Sequence, residues 1–123
     1  MLVQAVERIN NNSLENFLRK IEKELWVLDG KVIGVLGLAF KANTDDIRNA
    51  PALKLIKKLK DDGAIIQVFD PQAMENSKKS LPDIVYKSNP YQAAAGAEAL
   101  VICTDWDEFK AIDLNEIKRL MVS

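Results

Sequence analysis

The chain has 123 residues, of which 48% are hydrophobic and 28% are charged, and its formal net charge is −1. This length and composition suit one globular domain with a buried core, and the nearly balanced charge argues against a broad nucleic-acid-binding surface. No apolar run approaches the roughly 20 residues that span a bilayer, and no basic-then-apolar leader opens the chain, so we expect a cytoplasmic protein without a membrane partner.

The first predicted element is a long helix over residues 3–28. Apolar residues recur at helical spacing and form one hydrophobic stripe; they are Leu14, Phe17, Leu18, Ile21 and Leu25. Residues 10–13 are poor helix formers and good N-caps, so we expect a start or a weak point there. Asp29 and Gly30 end the element.

From residue 31 onward, short apolar runs alternate with helical patterns. Strands are predicted over residues 32–38, 64–69 and 99–103, with a weaker one over 84–86, and helices over residues 51–62, 90–96 and 114–121. In the helix over 51–62, Leu53, Ile56 and Leu59 are predicted to face inward. The alternation predicts an α/β fold: a Rossmann-like open parallel sheet flanked by helices and preceded by the long N-terminal helix.

A charged loop follows the first of these strands and ends at Pro51, which suits the first turn of a helix. Open α/β sheets bind ligands at the carboxyl ends of their strands, and the loop carries two cations, Lys41 and Arg48, that can meet phosphate. Taken alone, a cation on a loop is more often simply solvated. Asp45 and Asp46 are interpreted as loop structure, through bonds to backbone amides or pairs with the two cations, rather than as a metal or acid/base pair.

Two further features invite comparison with a dinucleotide site. Gly34 and Gly37 have Gly-x-x-Gly spacing, whereas the fingerprint is Gly-x-Gly-x-x-Gly with the helix starting at once. We therefore favour close packing of the strand over ligand approach as their role. Asp70 ends the second strand, where an acid can hold a ribose hydroxyl, but an Asp-Pro turn is the favoured interpretation.

The single cysteine, Cys103, lies in an apolar run, and the chain has no histidine to activate it. A core or strand-end role is therefore favoured over a nucleophile, an internal disulfide is excluded, and a zinc site is disfavoured. Trp106 and Phe109 follow the last strand. They either form an aromatic wall at the sheet edge or seal the end of the last helix.

Three segments together resemble one family: Gly-Leu-Ala-Phe-Lys-x-Asn-Thr-Asp-Asp-Ile-Arg over residues 37–48, Asp70-Pro71, and Val-Ile-Cys-Thr-Asp-Trp over 101–106. The sequence is similar to the C-terminal domain of the UDP-glucose/GDP-mannose dehydrogenase family from about residue 10 onward. The resemblance implies that this domain binds the UDP part of a UDP-sugar. It assigns Phe40 and Lys41 to substrate contact, and Arg48 to the NAD that another domain binds.

The resemblance also implies a larger enzyme that oxidises the C6 alcohol of the sugar to a carboxylate with NAD. Its NAD fingerprint and catalytic cysteine motif are absent here, so the chain is expected to be an inactive fragment that does not bind NAD tightly. Residues 1–29 are expected to belong to an interdomain or dimer region and residues 30–123 to a C-terminally truncated UDP-binding domain. The parent is expected to be a homodimer or a higher homo-oligomer.

Two other functions remain open at this point. One is a non-catalytic nucleotide-binding or receiver-like α/β module, for which the acidic pair of the loop is suitable and the Thr104-Asp105 segment is a poor match. The other is a dimerisation role for the helix over residues 14–28. Selectivity for UDP over AMP, NAD or acetyl phosphate separates the first alternative from a UDP-binding domain, and the dependence of mass on concentration tests the second.

Overall fold

The computed structural model describes residues 5–8, 16, 19–20, 23, 29–38, 51–103 and 107–121. The strands of this part are β1 Ala5–Arg8, β2 Val32–Leu36, β3 Ile65–Phe69, β4 Val85–Tyr86 and β5 Ala99–Ile102. The helices whose two ends both lie in this part are α1 Pro51–Asp61, α2 Met74–Lys78, α3 Pro90–Ala94, α4 Asp107–Lys110 and α5 Leu114–Leu120. None of the helices in these ranges is long and apolar enough to cross a membrane.

The strands form one parallel sheet in the order β1-β5-β2-β3-β4. The chain proceeds outward from β2 through β3 to β4, and then returns to the other side of β2 as β5. This reversal creates a topological switch point between β2 and β5, the position at which open α/β sheets bind ligands. The predicted α/β class with a parallel, Rossmann-like sheet is confirmed.

Alternate residues of each central strand face opposite layers of helices, because the side-chain period of a strand is two. On β2, Ile33 and Val35 join the core beneath α1, whereas Leu36 joins the core beneath α3 and α5. All four residues of β5 are buried. A strand covered on both faces must be apolar throughout, which explains why the runs at β2 and β5 were recognisable from sequence.

Helix α1 packs on the sheet with a stripe that shares two of the three predicted residues. Ala52, Leu55, Ile56 and Leu59 are fully buried, and their spacing of three and four residues fits one helix face. Leu53, which we predicted to face inward, is only half-buried at the margin of this core. The prediction was correct for Ile56 and Leu59, and it missed Leu55.

The predicted helix over residues 3–28 is wrong at Ala5–Arg8, which pairs with β5 as a parallel strand from Ala5 beside Ala99 to Arg8 beside Ile102. The free edge of β5 offers unpaired backbone donors and acceptors, and pairing with them outweighs a weak helix propensity. Four residues of the predicted helix are helical and exposed: Asn16, Arg19, Lys20 and Lys23. They belong to the polar face opposite the predicted apolar stripe, and the stripe itself lies outside the described residues.

Helix α3 sits directly on β2 because Gly34 has no side chain. A Cβ at Gly34 would lie 2.6 Å from the carbonyl oxygen of Ala93. The amide of Gln67 on β3 donates to the carbonyls of Ala93 and Ala95, at 3.1 and 2.9 Å, and thereby satisfies two acceptors near the end of the helix. Asn89 caps the other end by accepting from the Gln92 amide at 2.9 Å.

Candidate functional site

The carboxyl ends of β2 and β5 define the candidate site at the switch point. Cys103 follows β5 and its backbone amide donates to the carbonyl of Leu36 at 2.8 Å. Gly37 follows β2, has a φ of 97° that favours glycine, and donates from its amide to Phe69 at 2.9 Å. The chain therefore turns at Gly37 while still bonded to β3, and the charged loop continues from Leu38.

A carboxylate fixes this exit from β2. Asp70 is fully buried at the end of β3. Its Oδ2 accepts from the Leu38 amide at 2.7 Å, and its Oδ1 accepts from the amides of Gln72 and Ala73 at 2.8 and 2.7 Å. Hydrogen bonds of this kind to an ionised acceptor are short and strong. One side chain thus forms the turn after β3 and also holds the first residues beyond β2.

These contacts decide between the two roles considered for Asp70. The favoured turn role is confirmed by the bonds to Gln72 and Ala73. The bond to Leu38, which lies 32 residues away, was not predicted. The only available signal was that Asp70 ends a strand adjacent to β2 in a parallel sheet, and that adjacency does not specify a bonding partner.

The glycine and aspartate positions do not fit a dinucleotide site. The space in front of Gly34 is occupied by the backbone of Ala93, which confirms close packing rather than ligand approach at this residue. Both carboxylate oxygens of Asp70 accept from backbone amides, so the carboxylate is committed to the fold instead of a ribose. Gly34 and Asp70 therefore do not serve as the glycine and the acid of a Rossmann fingerprint.

Cys103 lies at the end of β5 and packs against the core beneath α1. Burial raises the pKa of the Cys103 thiol far above its ordinary value, which keeps it protonated and a poor nucleophile. The predicted position of Cys103 at a strand end, packed against the core, is confirmed. Within the described ranges there is also no group of three or more His, Cys, Asp or Glu residues placed to hold a metal ion.

Of the two aromatic residues after β5, Phe109 lies in the core. Phe109 on α4 is fully buried and meets Phe69 edge-to-face, with ring centroids 6.2 Å apart and an interplanar angle of 67°. It therefore seals the core beneath α3 and α5 rather than forming a wall at the site. Trp106 lies outside the described residues.

The three residues assigned to binding, Phe40, Lys41 and Arg48, also lie outside the described residues, as does the acidic pair Asp45-Asp46. The structure does define both ends of the segment that carries them. Leu38, fully buried, precedes it at the switch point, and Pro51 follows it as the first residue of α1. The segment thus begins and ends at the carboxyl edge of the sheet.

Comparison with known proteins gives this edge a family context. A family model for the UDP binding domain of the UDP-glucose/GDP-mannose dehydrogenase family matches residues 34–123, including the whole segment between Leu38 and Pro51. The chain belongs to the UDP-glucose/GDP-mannose dehydrogenase family. The matched region starts inside β2 and includes every strand and helix after it, so the switch point lies within the UDP binding domain of the family.

Individual members of the family show the same relationship. The chain is 40% identical over 121 residues to a UDP-glucose 6-dehydrogenase of Rhizobium meliloti, covering 98% of this chain and 28% of the relative. It is 46% identical over 112 residues to the UDP-glucose 6-dehydrogenase AglM of Haloferax volcanii, covering 91% of this chain and 26% of the relative. The chain therefore spans between a quarter and a third of the length of these relatives.

Solved structures agree on the fold. A UDP-glucose dehydrogenase from the archaeon Pyrobaculum islandicum superposes with a TM-score of 0.77 at 34% identity, over 84% of this chain and 24% of that one. A UDP-D-ManNAc dehydrogenase from Pyrococcus horikoshii gives a TM-score of 0.66 at 26% identity, over 89% of this chain and 24% of that one. The parallel sheet and its helices are thus the family's own architecture.

Proposed function

We propose that residues 30–123 form the UDP-binding part of an NAD-dependent dehydrogenase that oxidises the C6 alcohol of a UDP-sugar to a carboxylate. The observation that carries the proposal is the match of residues 34–123 to the UDP binding domain of the family. In this proposal Phe40 and Lys41 contact the sugar nucleotide, and Arg48 reaches the NAD bound by another part of the enzyme. Residues 1–29 are proposed to lie between domains or between subunits of a cytoplasmic homodimer or larger assembly, except that Ala5–Arg8 join the sheet of the UDP-binding part as β1.

Covalent geometry supports the placement of the two cations. Lys41 is three residues beyond Leu38 and Arg48 is three residues before Pro51, so each Cα lies within about 11 Å of a defined residue at the carboxyl edge. The amino end of α1, which carries the partial positive charge of a helix dipole, lies at the same edge. In this proposal the diphosphate is the group of UDP that meets Lys41 and the amino end of α1.

UDP should bind the chain weakly, with millimolar affinity, and Lys41→Ala should weaken it further. A charge-assisted bond contributes about 1.5–3 kcal/mol, so its loss lowers affinity roughly 10- to 100-fold. Titration followed by amide chemical shifts measures both the affinity and the location. The shifts are expected at residues 37–48 and at the amino end of α1.

Lys57→Ala is the matched control, because Lys57 is an exposed lysine in the middle of α1. It should leave the affinity for UDP within about twofold of the wild type, since exposed charges distant from a ligand are screened. AMP, NAD and acetyl phosphate should bind more weakly than UDP. Shifts that cluster away from residues 37–48, or an unchanged affinity in Lys41→Ala, would contradict the assignment.

The chain by itself should form no NADH from UDP-glucose and NAD. Its one cysteine is Cys103, whose thiol pKa is raised by desolvation, and thiol catalysis needs a thiolate. Absorbance at the NADH band, compared with a buffer control, measures the reaction. NADH formation above that control would overturn the separation of UDP binding from chemistry on which the proposal depends.

A further inference from the structure

The bond between Asp70 and Leu38 has a consequence that a turn-forming role does not require. An Asp-Pro turn is complete once Asp70 accepts from Gln72 and Ala73. The third bond, 2.7 Å from the Leu38 amide to Oδ2, instead joins the end of β3 to the end of β2. It acts on the strand that leads into the proposed UDP-binding segment.

Leu38 is held from two sides in a dry environment. Its side chain is fully buried in the core beneath α1, and the preceding residue, Gly37, is tied to Phe69 through its amide at 2.9 Å. A buried amide that loses its acceptor keeps the penalty of desolvation. Rotation of the chain at Leu38 is therefore opposed by the two consecutive bonds to Phe69 and Asp70 together.

We propose that Asp70 is a positioning residue for UDP binding, because by holding the Leu38 amide at the end of β2 it fixes the point from which the proposed UDP-binding segment starts. The inference rests on the proposed function and deepens it. Asp70 need not touch UDP, because its effect passes through the Leu38 amide, three residues before Lys41. It also explains why a carboxylate occupies an edge that is to receive an anion: its oxygens are directed at backbone amides.

The sign of the effect of Asp70→Asn separates this role from simple electrostatics. Removing a negative charge near a phosphate site should, through Coulomb interaction alone, strengthen UDP binding. Asparagine keeps the shape but has only one oxygen acceptor, so it cannot serve the amides on both oxygens. The positioning role thus predicts weaker binding, by up to roughly tenfold, because losing one charge-assisted bond lowers the fraction of the chain that is in the binding conformation.

The control variant must lower the free energy of unfolding without changing the hydrogen bonds of Leu38 and Asp70. Ile66→Val is suitable because Ile66 is a buried residue of the same strand and its truncation leaves every bond of Asp70 in place. The two variants and the wild type are compared by UDP titration and by hydrogen exchange of the Leu38 amide, at a temperature where all three are folded. Asp70→Asn should weaken UDP binding and speed Leu38 exchange relative to Ile66→Val, whereas Ile66→Val should bind UDP like the wild type.

If Asp70→Asn does not fold, the wild type alone decides the question. Linkage is reciprocal, so saturating UDP should slow exchange of the Leu38 amide if the bond to Asp70 belongs to the binding conformation. Unchanged or tighter UDP binding in folded Asp70→Asn, or Leu38 exchange that UDP does not slow, would overturn the positioning role. Absence of UDP binding by the wild type would instead overturn the proposed function, and faster Leu38 exchange in Asp70→Asn would still show that Asp70 fixes the exit from β2.

Discussion

Replacing Phe109 by alanine should lower the free energy of unfolding by about 3–5 kcal/mol, which is the usual range for truncating a buried aromatic residue. Phe109 is fully buried, lies in the core beneath α3 and α5, and contacts Phe69 edge-to-face. Truncation therefore removes apolar burial, leaves a cavity and breaks the ring contact. Because domains of this size are stable by only about 5–15 kcal/mol, the variant should be close to unfolding at 37 °C.

Urea denaturation followed by circular dichroism measures this loss. Phe109→Leu should cost less than Phe109→Ala, because leucine fills much of the same space. Leu114→Ala is the surface control, since Leu114 is 48% exposed and should change stability by no more than about 0.5 kcal/mol. Similar losses for Phe109→Ala and Leu114→Ala would show that α4 does not seal the core.

Gly34→Ala should also destabilise the chain, by about 3 kcal/mol, the upper part of the range for overpacking. The added Cβ would lie 2.6 Å from the carbonyl oxygen of Ala93 and 2.8 Å from Cδ1 of Leu100. Leu100 can rotate, but the backbone of α3 must move. In a strand with free space in front of the glycine, the same change would stabilise the fold by roughly 0.5–1 kcal/mol, since glycine is a poor strand residue. The sign of the change in the free energy of unfolding therefore tests the contact between Gly34 and Ala93.

Gly34→Val should cost more than Gly34→Ala, although valine has the higher strand propensity. Gly96→Ala serves as a control, because a Cβ at Gly96 meets no heavy atom within 4 Å. Only the positive φ of 73° opposes an alanine there, at a cost of about 1–2 kcal/mol. Amide shifts of Ala93 and Gln67 should move in Gly34→Ala and stay near their wild-type values in Gly96→Ala. A neutral or stabilising Gly34→Ala would contradict the close seating of α3 on β2.

The elements that could be predicted from the sequence are those whose signals lie close together along the chain. The apolar runs at β2 and β5 are buried on both faces, and the helix at α1 has a capping proline, a periodic stripe and a glycine after it; these signals lie within about a dozen residues. Helices α2 and α4 have only five and four residues, which is too short for a period to show. Strand β1 was missed because its partner, β5, lies far along the chain.

For the candidate site too, the features with a local signal could be predicted and those that depend on distant residues could not. Its position at the carboxyl edge was predictable, because a charged loop follows a buried strand and open parallel sheets bind ligands there. The role of Asp70 in fixing Leu38 was not predictable, since a bond across 32 residues depends on which strands become neighbours. The assignments of Phe40, Lys41 and Arg48 came from the family resemblance and remain predictions that the UDP titrations test.

The position of Cys103 makes the native chain its own chemical reporter. It is the only cysteine in the sequence, it lies beside the exit from β2, and it is partly exposed, but desolvation of its thiol raises the pKa, so an alkylating reagent should react with the folded chain only slowly. When the edge opens, the thiol regains its ordinary acidity and reacts faster. The rate of alkylation at low denaturant therefore measures how often this part of the sheet opens, without any introduced label. A ligand that stabilises the folded edge should slow the alkylation of the thiol.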